Sequence, residues 1–450
     1  MSTKVSSSYV LVIGLMLFAL FFGAGNLIFP AMLGQTAGSN VWFATAGFLI
    51  TGVGLPLLGV FAFGISGSDD LQSLASRVHP WFSVVFSFVL YLAIGPLFAL
   101  PRAGSVSFEI GVKPFLPENA GHIPLFIFTI IFFGITCWFS LNPAKIVDVV
   151  GKILTPIKLT FIGVLVIAAV VRPIGAIQAP VQAYTHNSFF KGFQEGYLTM
   201  DTLASFVFGI IVINAIKAKG AHDKKEIIKI CAKAASIAAI VLVMIYTSLS
   251  YMGASSVEKL GHLENGGAVL AKVATYYFSS LGGLLLGLMI TVACLTTSVG
   301  LVSSCSAYFH KVFPKISYQA IAVILSVFSA VIANFGLTQL IQISVPVLTA
   351  IYPLAIMLIF LTFLHPAFKG RAEVYQGSLL LTFLVSLFDG LNAAHLPIQA
   401  VNNLFNHILP LYNVGLGWIL PAVAGGVIGY GVSLLRAGYA PTPKSPKLNH

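Results

Sequence analysis

Two membrane-length apolar segments of this chain are each interrupted by small and polar residues, one in each half of the sequence. The first runs from Val10 to Pro30 and contains Phe22-Gly23-Ala24-Gly25-Asn26, and the second runs from Gly196 to Ile216 and contains a polar stretch from Asp201 to Phe206. In hydrocarbon an unpaired backbone group costs several kcal/mol, so backbone that leaves helical geometry at membrane depth has to line a protected cavity. The paired interruptions therefore predict a ligand site.

Composition places the chain among polytopic all-α membrane proteins. Hydrophobic residues make up 58% of its 450 residues, charged residues only 8%, and the mean hydropathy is +0.96, whereas soluble domains carry roughly 25% charged residues. A spanning helix needs about 20 mostly apolar residues. Twelve stretches meet this requirement and are numbered helix one to helix twelve: 10–30, 41–65, 81–101, 123–141, 146–171, 196–216, 229–252, 281–308, 317–335, 339–364, 374–390 and 411–436.

The distribution of Lys and Arg predicts the orientation in the membrane, because cytoplasmic loops carry an excess of these residues. With a cytoplasmic N-terminus, most of the 24 basic residues lie on the inner side, and the outer side holds only Arg102, Lys113, Arg172, Lys191, Lys259 and Lys272. Both termini are therefore predicted to be cytoplasmic. The net charge of +11 is interpreted as topology and contact with the anionic lipid bilayer, with no nucleic-acid partner.

Enzyme chemistry is disfavoured by the polar residues available inside the helices. Asp201 and Asp389 are the only acidic residues predicted there, and neither has a Ser-His or Cys-His arrangement beside it. The four cysteines fall in predicted helices without metal-ligand spacing, which argues against a transition metal. Hydrolases and transferases need a nucleophile with a base, a metal cluster or paired carboxylates. A channel remains a distant alternative, because polar rings or hydrophobic gates need no local motif.

The order of the helices predicts a repeat inside a single transmembrane domain that covers residues 1–450. Helices one to five (9–172) correspond in order to helices six to ten (192–365), and helices eleven and twelve (373–436) follow them. Because five is an odd number, the second unit has to enter the membrane from the opposite side, so the repeat is inverted. In transporters of this kind, substrate and ions bind near the midplane between the repeats.

The chain resembles the branched-chain amino acid:cation symporters of the BrnQ type, within the LeuT-like superfamily. The resemblance covers all twelve helices, and its most specific elements are FFGAGNLIFP at 21–30 and GPLFALPR at 95–102. It implies a LeuT-like 5+5 inverted repeat with two additional C-terminal helices. It also implies sodium-driven import of leucine, isoleucine and valine across the inner membrane of a bacterium. A proton-coupled or exchange-type amino acid carrier of the same fold is the alternative, and the sequence leaves the oligomeric state open.

Helix one has the features of a substrate and cation site. Gly23 and Gly25 let the backbone leave helical geometry, and Asn26 supplies an oxygen and two donors. The freed amides of Ala24, Gly25 and Asn26 begin a half-helix whose positive end suits a substrate carboxylate. The freed carbonyls of Ala19 and Phe22 suit a small hard cation such as Na+. The alternative is a glycine-mediated helix contact.

Helix six is predicted to supply the other side of the substrate site. Asp201 is an acidic residue inside the membrane, which is by default a functional hypothesis. Thr202 and Ser205 add hydroxyl groups, and Phe206 and Phe208 offer apolar walls for an aliphatic side chain. The carbonyls of Asp201 and Thr202, with help from the carboxylate, could hold the substrate ammonium. The alternative is that Asp201 caps helix six at its aqueous end.

Helix eight contains a hydroxyl cluster that completes the predicted sodium site. Thr296 and Thr297 are adjacent, and the Ala293 carbonyl lies one helical turn before them. Resemblance to LeuT-like symporters implies that sodium binds these three oxygens together with the helix-one carbonyls of Ala19 and Phe22. The alternative is that both hydroxyls bond back to their own helix, which is frequent in membrane helices.

Overall fold

The computed structural model describes residues 7–68, 70–117, 119, 121–141, 155–218 and 223–439. All regular secondary structure within these ranges is helical, and each of the twelve predicted stretches contains a helix; residues 146–154 of the fifth stretch lie outside the described residues. The spans are helix one, Ser7–Phe21 and Ala24–Ala37; two, Val41–Leu49 and Leu55–Ser66; three, Pro80–Leu92 and Ala99–Gly111; four, Ile123–Ser140; five, Thr155–Val171; six, Ser188–Glu195 and Asp201–Ala218; seven, Lys224–Leu260; eight, within Gly266–Val312; nine, Tyr318–Ala333; ten, Leu337–Leu364; eleven, Ala372–Ala393; and twelve, Ile419–Tyr439.

Length and hydropathy are consistent with these spans. Among the described residues, eight helical segments are long and apolar enough to cross a membrane, and the two halves of helix six, bent by 48° where they meet, form a ninth. Three shorter apolar helices, Tyr9–Phe21, Thr160–Val171 and Tyr318–Ala333, account for the remaining predicted stretches. Helix eight is the second part of a long helix, because Ser279 interrupts it with a left-handed backbone (φ 57°) just before the predicted start of the span.

The predicted interruption of helix one is present and has a local cause. The first half ends at Phe21, Gly23 is extended (φ −107°, ψ −163°), and the second half begins at Ala24. The Gly23 amide donates to the Phe21 carbonyl at 2.8 Å and to Asn26 Oδ1 at 3.1 Å. Because that amide is turned toward these two acceptors, the Ala19 carbonyl loses the donor that a continuous helix would give it.

Helix six is also interrupted, but the predicted position of the break, within the polar stretch from Asp201 to Phe206, is wrong. The chain passes from Ser188–Glu195 through a 3-10 turn, Gly196–Thr199, to Met200, which has a left-handed backbone (φ 63°). A regular helix then starts at Asp201, whose amide donates to Thr199 Oγ1 at 3.3 Å. Hydroxyl acceptors favour a helix start at such a position, so the polar residues begin the second half instead of interrupting it.

Helix three extends ten residues beyond its predicted end. Gly95 and Pro96 produce a wide π-type turn over Ala93–Leu97, with Gly95 outside helical geometry, and the helix resumes at Ala99 and continues to Gly111. Arg102 is therefore inside the helix and not on the outer side, and Glu109 is a buried acid of the same helix. A proline in a membrane helix kinks it without ending it when neighbouring groups satisfy the freed backbone.

Small residues allow the helices around the breaks to pack closely. A Cβ atom added to Gly34 of helix one would lie only 1.9 Å from the Ser250 carbonyl oxygen of helix seven. Likewise, a Cβ on Gly287 of the long helix preceding and including helix eight would lie 2.4 Å from the Gly111 Cα of helix three. Glycine at such contacts lets backbones approach in membrane proteins. The second half of helix one is thereby fixed against helix seven, and helix three against the helix-eight segment.

Candidate functional site

A cavity lies where the breaks of helices one and six face each other, next to helices three and eight. Residues of all four helices line it: Leu20, Phe21, Gly23, Ala24, Gly25 and Asn26 of helix one; Ile94, Ala99, Arg102 and Ala103 of helix three; Thr199, Met200, Asp201, Ala204 and Phe208 of helix six; Thr297 and Leu301 of helix eight. Its polar groups belong to Asn26, Arg102, Thr199, Asp201 and Thr297, and most of the remaining lining is apolar. The two interruptions therefore line one cavity.

Asn26 joins three helices at this cavity. Its Nδ2 group donates to Asp201 Oδ2 of helix six and to the Tyr246 hydroxyl of helix seven, and its Oδ1 accepts the Gly23 amide. The side-chain amide has two donors and one acceptor oxygen, so each kind of group has a protein partner. Asn26 thereby ties the break of helix one to helices six and seven. Tyr246 was not identified from the sequence, because a single tyrosine in a membrane helix carries no local signal of its partners.

Asp201 is the buried acid of the site. Only 4% of its surface is exposed. Its Oδ2 accepts from Asn26 and, at 3.4 Å, from the Tyr246 hydroxyl. Asp201 is the first residue of the second half of helix six, as the capping alternative requires, but it is not at an aqueous end. Its hydrogen-bond donors among the described residues are neutral, and a buried carboxylate with such partners is suited to receive a cationic group.

Three other predicted substrate residues on helix six do not line the cavity. Thr202 donates to the Thr51 carbonyl of helix two at 3.3 Å, and Ser205 donates to the Thr202 carbonyl at 2.7 Å. Phe206 packs edge to face against Phe63, with ring centroids 6.1 Å apart. These side chains face helix two or the helix itself, because the helical register after Met200 turns them away. Phe208, the other predicted apolar wall, does line the cavity, and Thr199, Met200 and Ala204 of the same helix line it as well.

The hydroxyl cluster of helix eight lies beside the break of helix one. Thr296 Oγ1 donates to the Ala293 carbonyl at 2.7 Å and Thr297 Oγ1 donates to the same oxygen at 3.2 Å. The three oxygens are thus together, in the back-bonded arrangement of the alternative interpretation. Thr297 also lines the cavity, and its Cγ2 lies 3.6 Å from where a Cβ of Gly23 would be. The cluster therefore lies next to Gly23, at the break of helix one.

Arg102 is the charged residue of the cavity that the sequence analysis did not place there. It is fully enclosed, with 2% of its surface exposed, and its Nη1 donates to the Leu198 carbonyl at the break of helix six. Its guanidinium carbon lies 5.0 Å from the centre of the Phe29 ring. The residue stands in the run GPLFALPR, but the predicted span of helix three ended at residue 101, so Arg102 was placed on the outer side.

Comparison with known proteins identifies the family. The model of the branched-chain amino acid transport protein family matches residues 6–435. The branched-chain amino acid permease BrnQ of Bacillus subtilis (strain 168) is 67% identical over 436 residues, which are 97% of this chain and 99% of that protein. BraB of the same organism is 52% identical, covering 94% and 95%, and BrnQ of Escherichia coli (strain K12) is 40% identical, also covering 94% and 95%.

Solved structures give the fold. Mhp1, a nucleobase-cation-symport-1 family transporter in a closed conformation with bromovinylhydantoin bound, superposes with a TM-score of 0.62 at 13% identity, covering 97% of this chain and 94% of Mhp1. MhsT in complex with L-phenylalanine gives 0.54 at 17% identity, covering 94% and 98%. At these identities the likeness concerns the fold alone. The chain therefore belongs to the branched-chain amino acid transport protein family, which consists of transporters and not enzymes, and has the LeuT-like fold.

Proposed function

We propose that this chain imports leucine, isoleucine and valine together with sodium across the bacterial cytoplasmic membrane by alternating access. The observation that carries the proposal is the cavity between the two helix breaks, with a half-helix amino end on one side and Asp201 on the other. The amides of Ala24, Gly25 and Asn26 suit a carboxylate, and the Asp201 carboxylate suits an ammonium group. A zwitterionic amino acid supplies both groups.

Selectivity for branched side chains is assigned to the apolar part of the lining. Leu20, Phe21, Ile94, Phe208 and Leu301 present only hydrocarbon groups or aromatic rings to the cavity. A hydrophobic pocket discriminates one methylene by only about 1–3 kcal/mol. Leucine, isoleucine and valine are therefore expected to compete for one site, while lysine, whose charge would remain unpaired against this wall, is excluded.

Sodium is assigned to the junction of helices one and eight. The hydroxyls of Thr296 and Thr297 both donate to the Ala293 carbonyl, at 2.7 and 3.2 Å, and the carbonyls of Ala19 and Phe22 lie at the end of the first half of helix one. Carbonyl and hydroxyl oxygens are the ligands of hard cations. When sodium binds, the two hydroxyl protons rotate away from the Ala293 carbonyl and the three oxygens turn their lone pairs to the ion.

The topology is part of the same proposal. With Arg102 placed inside the membrane, the predicted outer side retains only Lys113, Arg172, Lys191, Lys259 and Lys272, so the positive-inside bias becomes stronger. Both termini are proposed to be cytoplasmic. Substrate and sodium then enter from outside and leave toward the basic side of the membrane.

Proton coupling is the second candidate, and one observation favours it. The Asp201 carboxyl is buried in the cavity and bonds to Asn26 and Tyr246, so it could carry a proton between the two sides of the membrane. In this mode Asp201 would be protonated when substrate enters and would release the proton inside. The helix-eight hydroxyls would then remain bonded to Ala293 throughout the cycle.

Uptake into proteoliposomes tests the two candidates. Labelled leucine is supplied outside under an imposed sodium gradient, an imposed proton gradient or neither, with unlabelled isoleucine, valine, alanine or lysine as competitors. Accumulation driven by sodium at equal pH, and inhibited by isoleucine and valine but not lysine, supports the proposal. Accumulation driven only by protons supports the second candidate. Exchange without gradient-driven accumulation supports an exchanger, and flux that does not saturate indicates a channel.

A further inference from the structure

The Arg102 side chain has hydrogen-bonding capacity that the protein does not use. A guanidinium group has five N–H donors. Nη1 donates to the Leu198 carbonyl, Nη2 lies 3.8 Å from the Met200 sulfur, which is a weak acceptor, and Nε has no partner among the described residues. The Nε–H and Nη2 edge is the side of a guanidinium that grips both oxygens of a carboxylate. That edge is therefore occupied only by a thioether.

The charge of Arg102 is also not matched by a close ion pair. Among the described residues, no carboxylate lies within ion-pair distance of the guanidinium. The Asp201 carboxylate, which shares the cavity, is engaged by Asn26 and Tyr246 instead. A buried cation without an anionic partner is costly, and the Phe29 ring 5.0 Å away offsets only part of this cost. An anion entering the cavity would remove the imbalance.

The position of Arg102 fits a ligand that also contacts the break of helix one. A Cβ atom on Gly25 would lie 3.3 Å from Nη1, so the guanidinium rests against the backbone whose freed amides begin the second half of helix one. Both groups attract the same kind of ligand, an anion. Asp201, on the facing helix, attracts a cation. The cavity thus has a positive end at Arg102 and Gly25 and a negative end at Asp201.

We propose that Arg102 is the receptor for the substrate carboxylate and gives the transporter its requirement for a free α-carboxylate. This rests on the proposed function, because it assigns the orientation of the same amino acid in the same site. The carboxylate lies between the guanidinium of helix three and the amides of helix one, and the ammonium lies toward Asp201. Substrate thereby bridges helix three to helices one and six, which neither Asn26 nor the helix-eight hydroxyls do.

The competing role for Arg102 is structural, since its bond to the Leu198 carbonyl could simply stabilise the break of helix six. Leucinamide separates the two roles, because it keeps the leucine side chain and amino group but carries a neutral amide in place of the carboxylate. Loss of a structural support weakens both compounds alike. Loss of a carboxylate receptor weakens leucine and leaves leucinamide nearly unchanged.

The test measures equilibrium binding of leucine and leucinamide to the purified full-length protein, in sodium, for the wild type, Arg102→Gln and Arg102→Lys. Wild type should prefer leucine strongly, and Arg102→Gln should lose about tenfold or more of its leucine affinity with little change for leucinamide. Arg102→Lys, which keeps the charge without the planar fork, should fall between them. Arg172→Gln, at an exposed arginine after helix five, is the matched control and should bind as wild type does.

Two results overturn the inference. One is an unchanged ratio of leucine to leucinamide affinity in the Arg102 variants. The other is a wild type that binds leucinamide as tightly as leucine, which needs no variant and therefore decides the matter even if the variants do not fold. Failure of the proposed function gives a different result: wild type would not bind leucine at all, or its leucine uptake would follow a proton gradient or exchange instead of sodium, and neither outcome is read from the ratio of leucine to leucinamide affinity.

Discussion

Substitution of Asp201 by asparagine separates a substrate contact from a purely structural role. The swap is nearly isosteric, and the asparagine oxygen can still accept from Asn26 and Tyr246, which bond to the carboxylate in the structure. What disappears is the negative charge opposite the substrate ammonium. A hydrogen bond to a charged group contributes about 1.5–3 kcal/mol, so leucine affinity is expected to fall about 10- to 150-fold.

The assay compares leucine with 4-methylpentanoate, which keeps the side chain and carboxylate but lacks the amino group. If Asp201 receives the ammonium, Asp201→Asn weakens leucine and leaves 4-methylpentanoate almost unaffected, so the preference for leucine shrinks. Asp223→Asn is the matched control, because Asp223 caps the start of helix seven through the amides of Lys225 and Glu226, away from the cavity. Unchanged leucine affinity in Asp201→Asn would refute the contact and leave Asp201 as a support for Asn26.

The other predictions concern the ion, the helix-one break and the ion pair between Asp70 and Lys311. Thr296→Ala or Thr297→Ala should raise the sodium concentration for half-maximal uptake much more than it changes protein abundance, and a double variant with unaltered sodium dependence would remove helix eight from the ion site. Gly25→Leu should abolish leucine binding, because even its Cβ would lie 3.3 Å from the neighbouring guanidinium; ordinary affinity would mean that the glycine serves packing only. Burial raises the pKa of Asp70, but hydrogen bonds from Lys311, 2.5 Å away, and from Ser73 outweigh it and leave the pKa below its usual value. A lowered pKa stabilises the folded state at pH values above the ordinary pKa of aspartate, and this stabilisation is lost as the pH falls through the pKa of the folded state. Lys311→Met should therefore lower the free energy of unfolding by at most about 1 kcal/mol at neutral pH and leave it unchanged in strong acid. Thermal unfolding at the two pH values measures the difference.

Matched controls exist for the first two of these variants. Thr382 on helix eleven donates to the Ser378 carbonyl at 2.7 Å, as Thr296 does to Ala293, so Thr382→Ala tests the loss of back-bonding alone. Gly134 on helix four has no atom within 4 Å of an added Cβ. Gly134→Leu therefore tests the general effect of a larger residue in a span. Both controls should keep normal sodium and leucine dependence.

The break of helix one could be predicted from sequence because its causes are local. Gly23 gives up helical geometry at little cost, and Asn26, three residues later, supplies the oxygen that accepts its amide. The break of helix six has no comparable signal. Met200 carries a left-handed backbone that neither glycine nor proline marks, and it persists because the surrounding helices over-determine it.

The orientation of side chains after a break could not be predicted from sequence for a related reason. An uninterrupted helix fixes which residues share a face, but a bend of 48° resets that register by an amount set by tertiary packing. Thr202 and Ser205 were therefore placed in the cavity although they face helix two or their own helix. Arg102 was misplaced for a different reason, because the predicted span of helix three ended one residue before it, whereas the helix continues to Gly111.

In the proposed mechanism, ion and substrate are coupled through the interrupted segment of helix one. Sodium orders the carbonyl end before the break, at Ala19 and Phe22, and the substrate carboxylate orders the amide end after it, at Gly25. Fixing the backbone of one residue costs about 1–2 kcal/mol of conformational entropy. When the first ligand has already ordered one or two residues, the second ligand binds without that part of the entropy cost. The coupling free energy between two sites is typically about 1–3 kcal/mol, which changes an affinity 5- to 150-fold. Ordering of the shared segment is enough to supply this coupling free energy without direct contact between the two ligands. Because linkage is reciprocal, leucine has to tighten sodium binding by the same factor by which sodium tightens leucine binding. Asn26 transmits the ordering of this segment to helices six and seven, because its side chain bonds to Gly23 within the segment and to Asp201 and Tyr246 on those two helices.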